Sequence, residues 1–385
     1  MRLLTKRHSF DIITLYIVFK QRTSAKILTE RKARSNLRGE EQALSTRFDA
    51  FVGNEALKSR LAFDVDNDLL SHAYILEGQT GSGKKTLALS IVAALSCQHR
   101  GTGSVSPCLS CKNCKKIMER KSPDVAFIRH DEDRVTIGVE TVRDLKNDIY
   151  TAPNDLDVKA YIIEEADRMT EAAQNAFLLI LESPPPYVMF FLACESSASL
   201  LETIRSRAPT LRMEKLSDAD VEDYLVKNDA RARQLKADAP HTLSSVVFCG
   251  NGSIGASAEL LEPTKFEKVA ESCDFAKRLI SLISSSDKAA AFKAINSLGT
   301  KRADICVKLK YVQAAIRDLI MLKKGDVPSL CFFEDKDEAL ELATRFSSAS
   351  LFTLYDATVT AVSSLEANHN VRITLISMIK SAGIV

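Results

Sequence analysis

The chain has 385 residues, 45% of them hydrophobic and 26% charged, with a net charge of +2. That length exceeds what one core usually serves, so two or three domains are expected, and the composition excludes a fibrous or disordered polymer. Charge excludes a strongly basic nucleic-acid binder: residues 1–46 hold ten Lys/Arg against four acids, a local +6 that leaves −4 on residues 47–385.

The first candidate element is the apolar run Phe10 to Phe19. It is too short to span a bilayer, Asp11 interrupts it, and no small-residue cleavage site follows. Residues 1–46 therefore read as a basic extension, disordered or an over-long gene start, ahead of a fold that begins near Phe48. Nine cysteines without a secretory signal point to a reducing compartment, the cytoplasm.

Ala73 to Glu77 reads as a buried parallel strand ending at Gly78. Gly78-Gln-Thr-Gly-Ser-Gly83-Lys84 then follows the G-x-x-x-x-G-K pattern, in which glycines 78, 81 and 83 let amides face phosphate oxygens and Lys84 supplies a cation. Thr86 to Cys97 reads as the helix behind this loop. The pattern asks next for Ser or Thr to ligate Mg²⁺, but position 85 is lysine, which has no lone pair to offer. Thr86 lies one residue further along, turned about 100° away, so it joins the phosphate side of the site without replacing the metal ligand.

Cys97, Cys108, Cys111 and Cys114 come next, spaced C-x10-C-x2-C-x2-C. This is the pattern of a structural zinc tetrathiolate, with an iron–sulfur cluster the weaker alternative. Pro107, Gly101 and Gly103 supply bends, and Lys112, Lys115 and Lys116 are expected to offset the excess negative charge. His99 is expected to be solvated. The remaining cysteines, at 194, 249, 273, 306 and 331, are scattered and read as small buried hydrophobes.

Tyr161 to Ile163 is a second apolar strand, followed by Glu164-Glu165-Ala166-Asp167. A hydrolysing site uses Asp for the metal and Glu to orient water. Glu165 fills the second role, whereas Glu164 brings a longer arm to the first, so Mg²⁺ binding is expected to be weak or absent and ATP uncertain. Ser217 to Asp220 has capping-box spacing and starts a helix. Beyond Pro263 the pattern is helical throughout, in periodic segments over Phe266–Ile283, Lys288–Leu298, Arg302–Leu322, Asp335–Phe346 and Leu351–Lys380.

From Phe48 onward these motifs resemble the AAA+ clamp-loader subunits of bacterial DNA polymerase III. The likeness rests on Phe51-Val-Gly-Asn54, the phosphate loop, the four-cysteine insertion, Ile137-Gly-Val139, Tyr161 to Met169, Ala173-Gln-Asn-Ala176, Leu181-Glu-Ser-Pro-Pro185 and Thr203-Ile-Arg-Ser-Arg207. It implies an α/β P-loop AAA+ domain with a zinc knuckle at 47–215, a small helical lid at 216–262 and an all-α collar bundle at 263–385. It also implies a ring of ATPase subunits and a delta-type subunit as partners, with the sliding clamp and primed DNA reached through the assembly and no membrane. Within the family some subunits hydrolyse ATP and one is stator-like. Lys85, Glu164 and Gly255, which stands where motor subunits carry a sensing arginine, favour the stator-like kind. Ser206-Arg207 matches the motif whose arginine enters a neighbour's ATP site, a task that suits a planar, permanently charged donor.

Overall fold

The computed structural model describes residues 48, 50–100, 107–130, 136–285, 287–325 and 330–384. The readings of residues 1–46 and of the glycines at 101 and 103 fall outside the described residues.

Five parallel strands form one sheet: β1 (Ala73–Glu77), β2 (Val125–Ile128), β3 (Lys159–Ile163), β4 (Val188–Cys194) and β5 (Thr210–Arg212), in the order β2-β3-β4-β1-β5. β1 and β3 are apolar because both of their faces are covered. Tyr74, Leu76, Ala160, Ile162, Met189 and Phe191 point to one side, where α1 (Glu55–Asp66), α2 (Lys84–Leu95) and α3 (Lys112–Met118) pack. Ala73, Ile75, Tyr161, Ile163, Phe190 and Leu192 point to the other, against α4 (Val139–Asp148), α5 (Glu171–Glu182) and the short α6 (Glu202–Arg205). The strand order turns at β1, which lies between β4 and β5. In parallel sheets, the crevice beyond the carboxyl end of such a strand is where ligands bind. The expected strands at 73–77 and 161–163 are both present.

The rest of the chain is helical. A first group holds α7 (Asp218–Asn228), α8 (Ala230–Asp238), α9 (Pro240–Gly250) and α10 (Ile254–Leu261). Ser217 caps α7 by accepting from the Asp220 amide at 3.1 Å, and its hydroxyl donates to Asp220 Oδ2 at 2.6 Å, so the predicted helix start is present with the serine half of a capping box. A second group holds α11 (Pro263–Ser284), α12 (Lys288–Asn296), α13 (Arg302–Lys323), α14 (Lys336–Thr344), α15 (Ser348–Glu366) and α16 (Val371–Ser381). Pro263 is the first residue of α11, a place where its missing N–H costs nothing.

One expectation is corrected. The segment from Leu351 to Lys380 is two helices, because Asn368 takes a left-handed conformation and Asn370 caps the next helix by accepting from the Ile373 amide at 3.2 Å. The two groups also share one core: buried residues from Val221 to Ile384 form a single hydrophobic cluster. Ser245 of α9 donates to the Cys331 carbonyl at 2.6 Å, and the Arg317 guanidinium of α13 lies over the Phe248 ring of α9.

Candidate functional site

The phosphate loop links β1 to α2. Gly81 and Gly83 both have positive φ, which an L side chain would strain. Lys84 Nζ donates back to the carbonyls of Gly78 at 2.5 Å and Gln79 at 2.9 Å, and burial lowers its pKa against the pull of nearby Glu195, Asp167 and Glu165. Lys84 lines a cavity of about 520 Å³ together with Thr80, Glu165, Asp167 and Glu195. Thr86 sits on the first turn of α2 outside that lining, as do Lys85, Glu164 and the loop glycines 78, 81 and 83.

The second acidic motif lies at the end of β3. Lys85 Nζ is 2.7 Å from Glu164 Oε2, so the two departures read from sequence meet in one ion pair. Mg²⁺ needs oxygen donors in a near-octahedral shell. Lys85 has no lone pair to give such a shell, and its ammonium holds Oε2 of Glu164. The residues at this position therefore do not fit Mg²⁺. Glu165 is held off as well: its backbone is left-handed, and Oε2 lies 3.3 Å from both Arg168 Nε and His130 Nε2. Thr80 donates its hydroxyl to Glu195 Oε1 at 2.6 Å. Sequence reasoning missed His130 and Glu195, which belong to no motif and reach the site only through folding, and gave Arg168, inside the stretch Tyr161 to Met169, no role.

The segment Asn251 to Gly255 rests directly on the loop. Gln79 Nε2 donates to the Asn251 carbonyl at 2.9 Å, Ser253 Oγ to the Thr80 carbonyl at 3.0 Å, and the Gly255 amide to the Gly81 carbonyl at 3.0 Å. A Cβ on Gly255 would stand 2.7 Å from Gly81 Cα. No side chain, least of all an arginine, fits at position 255 while these backbones touch.

The four cysteines are gathered between α2 and α3, their sulfurs all within 4.8 Å of one another. A zinc tetrathiolate with 2.3 Å bonds sets its sulfurs about 3.8 Å apart, and Cys108 and Cys114 lie 4.0 Å apart. Four soft thiol donors within that span fit a structural zinc ion. The amide of Cys111 donates to Cys108 Sγ at 3.3 Å and that of Cys114 to Cys111 Sγ at 3.4 Å. Burial works to raise the Cys108 thiol, but hydrogen bonds from Ser110, His99 and the neighbouring amides bring it down to about 5; burial holds Cys114 up.

His99 is exposed, as expected, and its Nδ1 approaches Cys108 Sγ at 3.3 Å. One expectation changes at this module. Lys116 is paired with Asp155 at 2.6 Å and so directs its charge away from the sulfurs. Of the scattered cysteines, 194, 249, 306 and 331 are buried and 273 partly so; burial pushes Cys194 up to about 12 and Cys273 up to about 11.

Arg207 follows α6 on an exposed turn some distance along the chain from the phosphate loop. Its Nη1 donates to the Thr203 carbonyl at 3.1 Å and its Nη2 to Glu182 Oε1 at 3.2 Å. Ala208 beside it is buried.

A parallel sheet with a glycine loop and lysine at the end of its turning strand, and a four-thiol module inserted behind, defines a P-loop-type α/β domain. Residues 53–217 match the family model described as DNA polymerase III, delta subunit, so the resemblance read from the motifs holds across that stretch. The Bacillus subtilis DNA polymerase III subunit delta' is 32% identical over 208 residues, which cover 54% of this chain and 58% of that subunit. The tau subunit from the same organism is 28% identical over 216 residues, 56% of this chain and 37% of its own length. The tau/gamma subunit of Haemophilus influenzae is 32% identical over 178 residues, 46% of this chain and 25% of its own. The matched stretch thus spans little more than half of the first of these relatives and less of the others. A solved gamma-subunit-related protein from Thermotoga maritima overlies 84% of this chain and 98% of its own at 17% identity and a TM-score of 0.42, too loose a likeness to argue from. Among the described residues no helix is long and apolar enough to cross a membrane.

Proposed function

We propose that this chain is a delta-prime-type subunit of the cytoplasmic bacterial DNA polymerase III clamp loader. It assembles with ATPase subunits and a delta-type subunit in a ring that loads the sliding clamp onto primed DNA. It carries a structural zinc ion on Cys97, Cys108, Cys111 and Cys114 and does not hydrolyse ATP itself. Residues 47–215 are its AAA+ domain, 216–262 its lid and 263–385 its collar. The observation that carries this reading is the Lys85–Glu164 ion pair, which fills the position where a hydrolysing subunit holds its metal. The exposed Arg207 complements it, with a guanidinium held, among the described residues, by Glu182 and a carbonyl, partners it can exchange for a neighbour's phosphate charge.

Arg207→Ala is the test. In the reconstituted complex, turnover at the one interface it serves should fall by about 10³-fold, the lower range for a finger supplied in trans, while gel filtration shows the same assembly. Unchanged turnover removes the proposal.

A second reading, an ATP-hydrolysing gamma/tau-type motor, draws on the kept loop glycines, Lys84 and Glu165 and on the match to tau. It requires Mg²⁺-dependent phosphate release by the isolated chain, abolished by Lys84→Ala. The delta-prime reading expects none.

A further inference from the structure

The four sulfurs of the zinc module are not equally shielded. Cys97, Cys111 and Cys114 are buried, at 6%, 8% and 0% exposed, whereas Cys108 is partly exposed. Cys114 is pressed against α2, its Sγ 3.7 Å from the Ala93 carbonyl, and Cys111 Sγ is engaged in capping α3. Cys108 instead faces the exposed side chains of His99 and Ser110, with Ser110 Oγ donating to its Sγ at 3.4 Å. We propose that Cys108 is an oxidation site, and that the disulfide it then forms with Cys114 releases the metal.

The oxidant that fits this opening is a small two-electron one, hydrogen peroxide. With zinc bound, all four sulfurs are thiolates, the nucleophilic form. The Cys108 thiolate attacks one peroxide oxygen; the O–O bond breaks, hydroxide leaves, and the sulfur is oxidised by two electrons to a sulfenic acid. Cys114 Sγ lies 4.0 Å from that sulfur, about 2 Å beyond a disulfide bond. Its thiolate attacks the Cys108 sulfur, the S–S bond forms, the S–O bond breaks and a second hydroxide leaves. Two solvent protons turn both hydroxides into water. Cys97 and Cys111 remain, two donors where a structural site uses four, so the ion is lost. Cys97 follows α2, while the other three ligands belong to α3 and its approach. Metal loss therefore loosens the joint between the two helices.

The inference rests on the zinc reading and is independent of Arg207. Zinc-loaded full chain in thiol-free buffer is exposed to hydrogen peroxide while a chromogenic chelator reports free zinc. Peptide mass mapping then locates the oxidised sulfurs. The expected result is loss of the bound zinc in step with a Cys108–Cys114 disulfide, reversed by dithiothreitol and added zinc. At limiting peroxide, dimedone, which traps sulfenic acid, should label Cys108 before any other cysteine of the module. Cys273 is the other partly exposed cysteine, and Cys273→Ser should leave the rate of zinc loss unchanged.

Zinc held through excess peroxide overturns the proposal, as does dimedone on a buried module cysteine first, or a disulfide that omits Cys108 or Cys114. A Cys273→Ser variant that keeps its zinc under peroxide also overturns it. A chain purified without zinc from zinc-supplied cells refutes the zinc reading as well. A zinc-bound chain indifferent to peroxide refutes this inference alone.

Discussion

At the residue scale, the glycine at 255 is explained by contact and not by conformational freedom. Its backbone needs no left-handed φ, yet a Cβ there would press on Gly81 Cα and carbonyl. Gly255→Ala should therefore cost about 1–3 kcal/mol by overpacking, seen as a lower urea midpoint. Gly138→Ala meets no atom within 4 Å, so there only the weaker N-cap of α4 should lower the midpoint, and by less. The sequence could report that arginine is missing at 255 but not that no side chain fits, because the obstructing atom belongs to residue 81. The same limit applies to Lys85 and Glu164, which lie 79 positions apart. Each was legible as a departure from a local motif, whereas their union was not. Lys84, the loop glycines and the four thiols were fully legible, since their spacing alone carries the chemistry.

At the element scale, two short connections are held by buried carboxylates that no motif announced. Asp124, fully buried, accepts from the amides of Asn154, Asp155 and Leu156 at 2.7–2.9 Å and so fixes the approach to β3. Asp318 on α13, also fully buried, accepts from the amides of Cys331 and Phe332 and pairs with Arg317 at 2.9 Å. Asp318→Ala would leave those amides and the guanidinium without their partner. It should destabilise the chain by about 3–5 kcal/mol, the usual consequence of breaking a buried ionic network, measured by urea unfolding. The metal module makes a separate prediction. Cys114 is wholly buried and its thiol contacts the Ala93 carbonyl of α2. Cys114→Ser should abolish zinc retention, read by metal analysis of the purified protein, and loosen α3, read by faster amide exchange over 108–118.

For the whole molecule, layering was the most legible property and partition the least. Apolar strands followed by glycine loops announced a parallel sheet, and the helical periodicity after residue 216 announced an all-α remainder. What periodicity could not show is how the helices group, because it records which face is apolar and not which partner covers it. Leu243 of α9 and Leu319 of α13 are both wholly buried in one cluster. Leu243→Ala and Leu319→Ala should each cost about 2–5 kcal/mol. Both should displace the same transition in far-ultraviolet circular dichroism; separate transitions would show that the helices unfold as two units.

The seat of α10 on the phosphate loop gains meaning from that shared core. At Gly81 and Gly255 main chain lies against main chain, with no long side chain between them to swing aside. Behind Gly255 the helices are welded together through their apolar interior as far as Ile384. A tilt imposed at the far end of the bundle would consequently be handed on through the shared interior of the described helices, and reach the mouth of the pocket as a push on the loop itself.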